Sequence, residues 1–368
     1  MVGSKEHINS DMKPFQPGLS KLCRLLVVTA FASASALLSP ALHAEAKPWP
    51  IKVVVITTFE PGEDTGDAVG EFQNWVEREH LDEKLPFPGG VRPLRINATH
   101  DLLGIVTGMT LAKAGASIVA LGLDPRFDFS HTYWLVDGIA GVDPADGTIG
   151  TAAWASFVVN DPDRQIDSRE TPPDWPYGHF VIGAKTPDTM PPHPMDDDLY
   201  ALNDNLAHWA YALTRELKLP DNEAMQADRK RWAGFPNASL PPAVILGDSF
   251  ASDSYWHGTI LTQYANDWVR LWTHGKGNFA MANMEDSAIA EALLRLDHMH
   301  RADTRRLMVL RGASNYTMEA PGQTALESVT SPYLKSTAYE AAWFTGSVTV
   351  HELLNHWAIY ETHTAGDR

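Results

Sequence analysis

Short apolar runs rich in β-branched residues alternate with longer amphipathic stretches along most of the chain. The run at 51–56 is apolar almost throughout, which is typical of a strand buried on both faces of a parallel sheet. Further strands are predicted at 105–106, 117–121, 133–136, 152–159, 243–246 and 307–310, and helices around 72–81, from 112, at 195–217, at 286–296 and at 338–360. This alternation predicts an α/β fold, a three-layer α/β/α sandwich around a mixed, largely parallel twisted sheet.

The first residues have the layout of a secretory signal peptide. An apolar run at 25–38 is preceded by three cations and followed by small residues that offer cleavage after Ala44 or Ala46; the cations are Lys13, Lys21 and Arg24. The alternative is a membrane anchor, but this run is too short, because a membrane-spanning helix needs about 20 residues. We therefore expect a signal peptide at 1–44 and a periplasmic or secreted protein.

The rest of the chain, residues 47–366, has no Ser/Gly-rich linker and is predicted to form one domain. Cys23, the only cysteine, precedes the apolar run and would be lost with the signal. The sequence has 29 basic and 46 acidic residues, a net charge of −17. Such a chain is a poor partner for nucleic acid, because duplex binding needs a cationic surface. The sequence after the signal contains no long apolar segment, so we do not expect it to be embedded in a membrane.

Two familiar motifs carry little weight. Gly247-Asp248-Ser249 matches the nucleophile block of one esterase class, but its partner Asp297-x-x-His300 follows within about fifty residues, too few for an α/β domain. His351 and His356 resemble a zinc-binding helix, but they are five residues apart where one helix face requires four. Since no other cluster has metal-ligand spacing, we predict no metal.

Five segments that follow predicted strands carry the chemistry. They are Thr107-Gly108-Met109, Asp137-Gly138-Ile139-Ala140-Gly141, Gly247-Asp248-Ser249-Phe250, Asn283-Met284-Glu285 and Arg311-Gly312-Ala313-Ser314-Asn315. In this order they resemble the nucleoside phosphorylase/nucleosidase superfamily, and with the turn at 59–62 and the segment 314–316 the chain resembles its purine nucleoside permease family. The resemblance implies a nucleoside phosphorylase-like fold, a purine nucleoside ligand, and cleavage of its N-glycosidic bond without a cofactor.

The resemblance also implies individual roles. Glu285 would accept hydrogen bonds from the ribose 2′- and 3′-hydroxyls, with Met284 beneath the sugar and Asn283 beside it. Asn315 would donate to purine N7, which suits 6-oxopurines, and Phe250 would stack on the base. Gly138 and Gly141 would line the substrate, and residues 255–257 could complete the base pocket. Each residue also has an ordinary explanation: Glu285 at a helix start, Asn315 in a turn, Phe250 in the core.

The nucleophile is predicted from charge. Residues 57–77 contain no lysine or arginine, although a phosphorylase must hold a phosphate dianion. A water activated by a carboxylate is therefore favoured, with Glu60 preferred and Glu63 or Asp64 as alternatives. Phosphate would be a co-substrate only in a phosphorylase, for which Arg92, Arg95 or Arg126 could fold into the site.

A second class of function remains open. A non-catalytic, periplasmic nucleoside-binding protein could deliver its ligand to a membrane transporter. It needs the same pocket but no water-activating group, so release of the purine base separates the two hypotheses. The protein could also form a homo-oligomer.

Overall fold

Residues 47–161, 164–194, 198–334 and 336–367 are described by the structure, which is a computed structural model. The predicted signal peptide at 1–44, with Cys23, lies outside the described residues, as does the predicted helix start at 195–197. Residues 47–368 form one compact unit.

Fourteen strands are present in the described part of the chain. They are β1 (Trp49–Pro50), β2 (Val53–Thr57), β3 (Glu83–Leu85), β4 (Leu94–Ile96), β5 (Leu102–Val106), β6 (Phe127–Asp128), β7 (Tyr133–Val142), β8 (Ala152–Trp154), β9 (Phe157–Asn160), β10 (Leu199–Ala201), β11 (Val244–Leu246), β12 (Asp248–Ala251), β13 (Phe279–Asn283) and β14 (Leu307–Tyr316). Strands β1 and β6 pair separately, and the other twelve form one mixed sheet.

The α-helices of the same residues are α1 (Gln73–Arg78), α2 (Leu111–Gly122), α3 (Asp204–Thr214), α4 (Glu223–Arg229), α5 (Thr259–Trp272), α6 (Asp286–His298), α7 (Ala325–Val329), α8 (Ala338–Asn355) and α9 (Trp357–Tyr360). None of these helices is long and apolar enough to cross a membrane.

The two faces of the sheet are covered by different helices. Val54 and Ile56 of β2 face a core with α2 and α6, whereas Val53 and Val55 face α1, α3 and α8. This alternation is the two-residue period of a strand buried on both sides. The fold is therefore a three-layer α/β/α sandwich with a large mixed sheet, as predicted.

Strand β7 organises the centre of the sheet. It runs parallel to β14 along one edge, and its other edge pairs with β2 as far as Val136 and with β13 from Gly141. The two partners on that edge thus diverge over residues 137–140. Parallel pairing with β14 sets Arg311 opposite Gly138 and, after a bulge at Ser314, Asn315 opposite Gly141. Two motifs far apart in sequence are neighbours in the sheet.

Several element boundaries differ from the sequence predictions. The predicted strand at 117–121 belongs to α2, because Ala114, Ile118 and Leu121 form one apolar helix face. The predicted helix at 195–217 is replaced by β10 followed by α3. The predicted strand at 152–159 is divided into β8 and β9, since the Asp248 carboxylate accepts hydrogen bonds from the N–H groups of Ser156 (3.0 Å) and Phe157 (2.8 Å) at the break.

The two motifs given little weight are structural. Ser249 is buried, donates its hydroxyl hydrogen to Asp286 (2.6 Å) and accepts one from the Asn283 amide (2.6 Å). His351 contacts Glu79 (2.6 Å) and His356 contacts Glu352 (3.0 Å) on the surface of α8 and just beyond it. Each histidine has its own carboxylate partner instead of sharing a ligand.

Candidate active site

A cavity of about 780 Å³ opens where β2 and β13 diverge from β7. Its walls come from the segments after β2, β5, β12 and β13, from the end of β14 and from the start of α8. The carboxyl ends of parallel strands are the usual place for a ligand site in an open α/β sheet. One end of the cavity carries charged groups, and the other is lined by aromatic and amide side chains.

Glu285 forms the charged end. It stands at the N-cap position of α6 but makes no capping hydrogen bond; Asn283 Oδ1 instead accepts from the N–H groups of Glu285 (3.1 Å) and Asp286 (3.0 Å). The Glu285 carboxylate accepts from Thr110 N–H (3.3 Å) and lies 3.2 Å from Arg311 Nη2. Thr110 holds φ at +84°, a region that costs energy for a β-branched residue and is often kept at functional sites.

Arg311 lies beneath the cavity and joins several carboxylates. The guanidinium is 1% exposed and contacts Asp286 (2.5 Å) as well as Glu285, while Nη1 donates to the Ile139 carbonyl (3.1 Å). Glu71 Oε1 is 4.0 Å from the same Nη1. One buried cation thus serves three carboxylates, which fixes the orientation of Glu285 by charge-assisted hydrogen bonds.

Two acids in and beneath the cavity wall have raised pKa values. Burial raises the pKa of Glu285 to about 7, with Glu71 and Asp286 adding to the rise and Arg311 opposing it. Burial also raises the pKa of Asp137 to about 8, although Trp75 Nε1 donates to Asp137 Oδ2 at 2.5 Å. Among the described residues, Asp137 Oδ1 has no hydrogen-bond partner. Strong perturbation of this kind is typical of functional sites.

Glu71 is the second carboxylate of the cavity wall. Its Oε2 accepts from Thr58 N–H (2.6 Å), Thr58 Oγ1 (2.9 Å) and Phe59 N–H (3.1 Å). Within the residues that the structure describes, Oε1 accepts a hydrogen bond only from Ile139 N–H (2.8 Å). The carboxylate therefore bridges the end of β2 and the open edge of β7. Since each carboxylate oxygen has two lone pairs, Oε1 retains room for one more donor.

Asn315 and Tyr255 lie at the other end of the cavity. The bulge at Ser314 places both Ser314 and Asn315 on the cavity wall, where a regular strand would send them to opposite faces. Asn315 Nδ2 donates to Tyr255 Oη (3.3 Å) and to the Tyr316 carbonyl (3.0 Å), and Ser314 Oγ donates to Asn315 Oδ1 (2.9 Å). This arrangement offers polar groups to a flat ligand between aromatic walls.

The structure brings most of the predicted site residues together. Asn283, Met284, Glu285, Gly141 and Asn315 all line the cavity. Gly138 lies just beneath it, because a Cβ there would fall 2.5 Å from Arg311 Nη1 and 2.7 Å from Glu71 Oε1. Only a glycine permits this approach.

Phe250 does not reach the cavity. Its side chain is fully buried and packs edge-on against Trp256, Tyr264 and Phe279 in a separate core. Tyr255, which sequence reasoning named only as one of three candidates for the base pocket, lines the cavity in its place. The aromatic residue that this region contributes to the cavity wall thus comes from the loop after β12 and not from the strand.

The structure also places the predicted water-activating acids elsewhere. Glu60 accepts from the N–H groups of Gly70 (2.8 Å), Phe72 (2.6 Å) and Gln73 (2.9 Å), so it fixes the loop before α1. Asp64 is paired with Arg92 (3.1 Å) and Arg95 (2.8 Å), and Glu63 is exposed. The acid of this segment that does reach the cavity is Glu71, which was not among the predicted candidates.

The three arginines that could have supplied a phosphate site are occupied outside the cavity. Arg92 and Arg95 bind Asp64, and Arg126 forms an ion pair with Asp124 (2.6 Å). None of the described residues that line the cavity is a lysine or an arginine.

Comparison with known sequences gives the family. A sequence model described as purine nucleoside permease matches residues 50–365, nearly all of the described chain. The chain belongs to the purine nucleoside permease family. A probable purine nucleoside permease of Schizosaccharomyces pombe is 27% identical over 278 residues, 72% of this chain and 79% of the relative. A purine nucleoside permease of Candida albicans is 28% identical over 330 residues, 86% of this chain and 79% of the relative.

Solved structures place this family member in a known fold. Helicobacter pylori 5′-methylthioadenosine/S-adenosyl homocysteine nucleosidase is similar with a TM-score of 0.50 at 14% identity, covering 82% of this chain and 99% of the nucleosidase. A mutant of that nucleosidase with 5′-methylthioadenosine in the active site gives a TM-score of 0.52 at 14% identity, with the same coverage. The permease-family chain therefore has the nucleoside phosphorylase-like fold that its motifs implied.

Proposed function

We propose that the protein binds purine nucleosides in this cavity and hydrolyses their N-glycosidic bond. The observation that carries the proposal is the pair of buried carboxylates, Glu285 and Glu71, on one wall of a cavity whose other end offers Asn315 and Tyr255. Breaking the bond develops positive charge on the ribose and negative charge on the base. Preoriented groups of these two kinds at opposite ends are what stabilises such a transition state.

Glu285 is proposed to hold the ribose. Its carboxylate is oriented by Arg311 and Thr110, so it is ready to accept hydrogen bonds from two neighbouring hydroxyls. Met284, which also lines the cavity, supplies an apolar surface for the sugar ring. Negative charge at this end favours the oxocarbenium-like sugar that forms as the base departs.

Glu71 is proposed to activate water, the role that sequence reasoning gave to Glu60. Water adds to the anomeric carbon as the C1′–N9 bond breaks, and the electrons of that bond pass to the purine. The proton lost by the water goes to Glu71 Oε1, and the departing purine takes a proton from solvent. Asn315 is uncharged and supplies no proton, which favours 6-oxopurines because their bases leave most easily as anions.

Charge favours water over phosphate as the nucleophile. Two N–H groups at the start of α2, which a phosphate could otherwise bind, are taken by carboxylates: Leu111 N–H donates to Asp253 (3.0 Å), and Thr110 N–H, just before the helix, donates to Glu285. Two acids on the cavity wall would repel a dianion further. The described cavity wall therefore offers phosphate no cation, and Arg311 beneath it is already paired with carboxylates.

A second candidate function rests on the names of the relatives, which are called permeases. In that case the chain would bind nucleosides without cleaving them and pass them to a membrane transporter. For both functions we propose that the protein is exported and that its signal peptide is cleaved before residue 47, as the N-terminal sequence predicts. The two differ in a single observable, the release of free purine base.

Replacement of Glu71 tests the catalytic proposal. Glu71→Gln keeps the size of the side chain but cannot accept the proton, so kcat with inosine should fall by about 10²-fold or more, the usual scale of general-base catalysis, while KM changes little. Steady-state kinetics with chromatographic detection of hypoxanthine measures both constants. Glu63→Gln, on an exposed loop residue, is the matched control and should retain the parent kcat. An unchanged kcat in Glu71→Gln would remove Glu71 from the mechanism.

A further inference from the structure

The hydrogen bonds of Asn315 leave its amide no hydrogen for a ligand. The two Nδ2 hydrogens go to Tyr255 Oη and the Tyr316 carbonyl, and Ser314 Oγ donates to Oδ1. A contact between Asn315 and the purine would therefore break one of these bonds, and an unpaired polar group in a partly buried site costs energy.

Tyr255 is the group that receives the Asn315 hydrogen bond. Because its hydroxyl oxygen accepts from Nδ2, its own hydrogen is directed away from Asn315. Burial, followed by the Tyr333 phenol through its charge and a side-chain hydrogen bond, raises the pKa of Tyr255 above its usual value. The phenol thus remains protonated over the working pH range and is a hydrogen-bond donor.

The position of Tyr255 suits contact with a base. It is half exposed and lines the main cavity beside Asn315 and Ser314. Its neighbours in the loop do not line this cavity: Trp256 packs against Phe250 with ring centroids 5.8 Å apart, and His257 lines only a smaller pocket that Tyr255 shares. Tyr333 is 73% exposed, so a ligand can replace it as the partner of Tyr255 while water satisfies the released hydroxyl.

We propose that Tyr255 is the residue that recognises the purine, donating its hydroxyl hydrogen to the N7 acceptor of the five-membered ring, and that Asn315 is the positioning residue that orients this hydroxyl. The inference rests on the proposed nucleoside ligand and assigns the hydrogen bond to purine N7 to Tyr255 instead of Asn315. It also accounts for the absence of Phe250 from the cavity, because the ring that faces the base belongs to Tyr255.

Equilibrium binding of two ligands to the full chain tests this assignment, with Glu71→Gln present in the parent and in every variant so that inosine is consumed about 10²-fold more slowly during the titration. Inosine and 7-deazainosine differ at position 7, where the second has a C–H group in place of the nitrogen acceptor. Isothermal titration should show the parent protein binding inosine about three- to tenfold more tightly, the scale of one net hydrogen bond. Tyr255→Phe should bring that ratio close to one by weakening inosine binding, with little change for 7-deazainosine. Tyr211→Phe, on α3 outside the cavity, is the matched control and should keep the parent ratio.

The results separate the two levels of the proposal. If Tyr255→Phe keeps the parent ratio while Asn315→Ala abolishes it, Asn315 contacts N7 directly and the assignment of Tyr255 is overturned. If the ratio falls in Tyr255→Phe and falls less in Asn315→Ala, the positioning role is supported. A parent protein that binds neither ligand would overturn the proposed function itself. Thermal unfolding of each variant verifies that a change in the ratio is measured on folded protein.

Discussion

At the scale of single residues, the charged end of the cavity depends on Glu285. Its side chain leaves the capping of α6 to Asn283 and turns to Thr110 and Arg311. A carboxylate that merely stabilised the helix N-terminus would bond to its own helix instead. The geometry therefore favours the proposed ribose-binding role of Glu285 over that of an ordinary helix cap.

Removing the charge of Glu285 should affect substrates with ribose hydroxyls selectively. Glu285→Gln should lower kcat/KM for inosine by at least about a hundredfold, the usual scale for losing one preorganised contact. The loss should be much smaller for 2′,3′-dideoxyinosine, because the hydroxyl partners are already absent. Initial rates with both nucleosides measure the two ratios. Equal losses would mean that Glu285 supports the fold and does not bind the sugar.

Sequence reasoning predicted most of the motif residues that line the cavity, but it misplaced Phe250 and missed a residue brought in by the tertiary structure. Asn283, Met284, Glu285 and Asn315 lie at or just after the ends of β13 and β14, so their approach was predictable. Glu71 reaches the same cavity from a loop fourteen residues after β2. Its position is decided by the N–H groups of β2 and β7, which a single sequence does not bring together.

At the scale of elements, the divergence of β2 and β13 from β7 creates the site. Over residues 137–140 of β7, side chains replace the backbone hydrogen bonds that a neighbouring strand would make. Glu71 accepts from Ile139 N–H, and Arg311 donates to the Ile139 carbonyl. The backbone groups of the open edge are thus satisfied without a neighbouring strand. Gly138 permits this substitution, since both charged side chains pass within the space of a Cβ.

A methyl group at Gly138 should therefore disrupt the site more than the fold. Gly138→Ala must displace Arg311 or Glu71, and we expect inosine affinity to fall by at least about tenfold, the equivalent of about 1.4 kcal/mol. Gly115→Ala in α2 is the matched control, because its Cβ would lie at ordinary contact distance, 3.5 Å, from the nearest atom. That variant should retain inosine affinity and unfold at the same temperature or higher. Binding by Gly138→Ala at the parent affinity would contradict this account of the open edge.

Element types were predictable where periodicity was long, and boundaries were not. Residues 112–121 looked like a helix start followed by a strand, because Ser117, Ile118 and Val119 favour strands locally. Packing of Ala114, Ile118 and Leu121 against α6 instead favours one continuous helix over this segment. Likewise the break between β8 and β9 depends on Asp248, 91 residues after Phe157, which no local pattern reveals.

At the scale of the whole molecule, the excess of acid makes stability depend on pH. Asp137 and Glu285 have folded pKa values of about 8 and about 7, above the ordinary values of 3.8 and 4.5. A raised carboxyl pKa contributes stability that is fully present below the unfolded value and is lost as pH rises through the folded value. The Tm should therefore fall between about pH 5 and pH 8, where the unfolded carboxyls have ionised and the folded ones still hold their protons.

Asp137→Asn should reduce that fall in Tm. The amide oxygen can still accept from Trp75 Nε1, but the side chain no longer ionises in the core. Scanning calorimetry from about pH 5 to pH 8 measures the slope, with the exposed Asp82→Asn as control. If the variant loses as much Tm as the parent over this range, Asp137 is not the group whose ionisation destabilises the protein.

Membership of the purine nucleoside permease family and the nucleosidase-like fold do not decide whether a bound nucleoside is hydrolysed. The measurement that tests hydrolysis most directly is incubation of the purified protein with inosine in phosphate-free buffer, followed by identification of both products. We predict equal amounts of hypoxanthine and free ribose, at a rate that added phosphate does not increase. Base release that requires phosphate and yields ribose 1-phosphate, or bound inosine that remains intact, would contradict hydrolysis at this site.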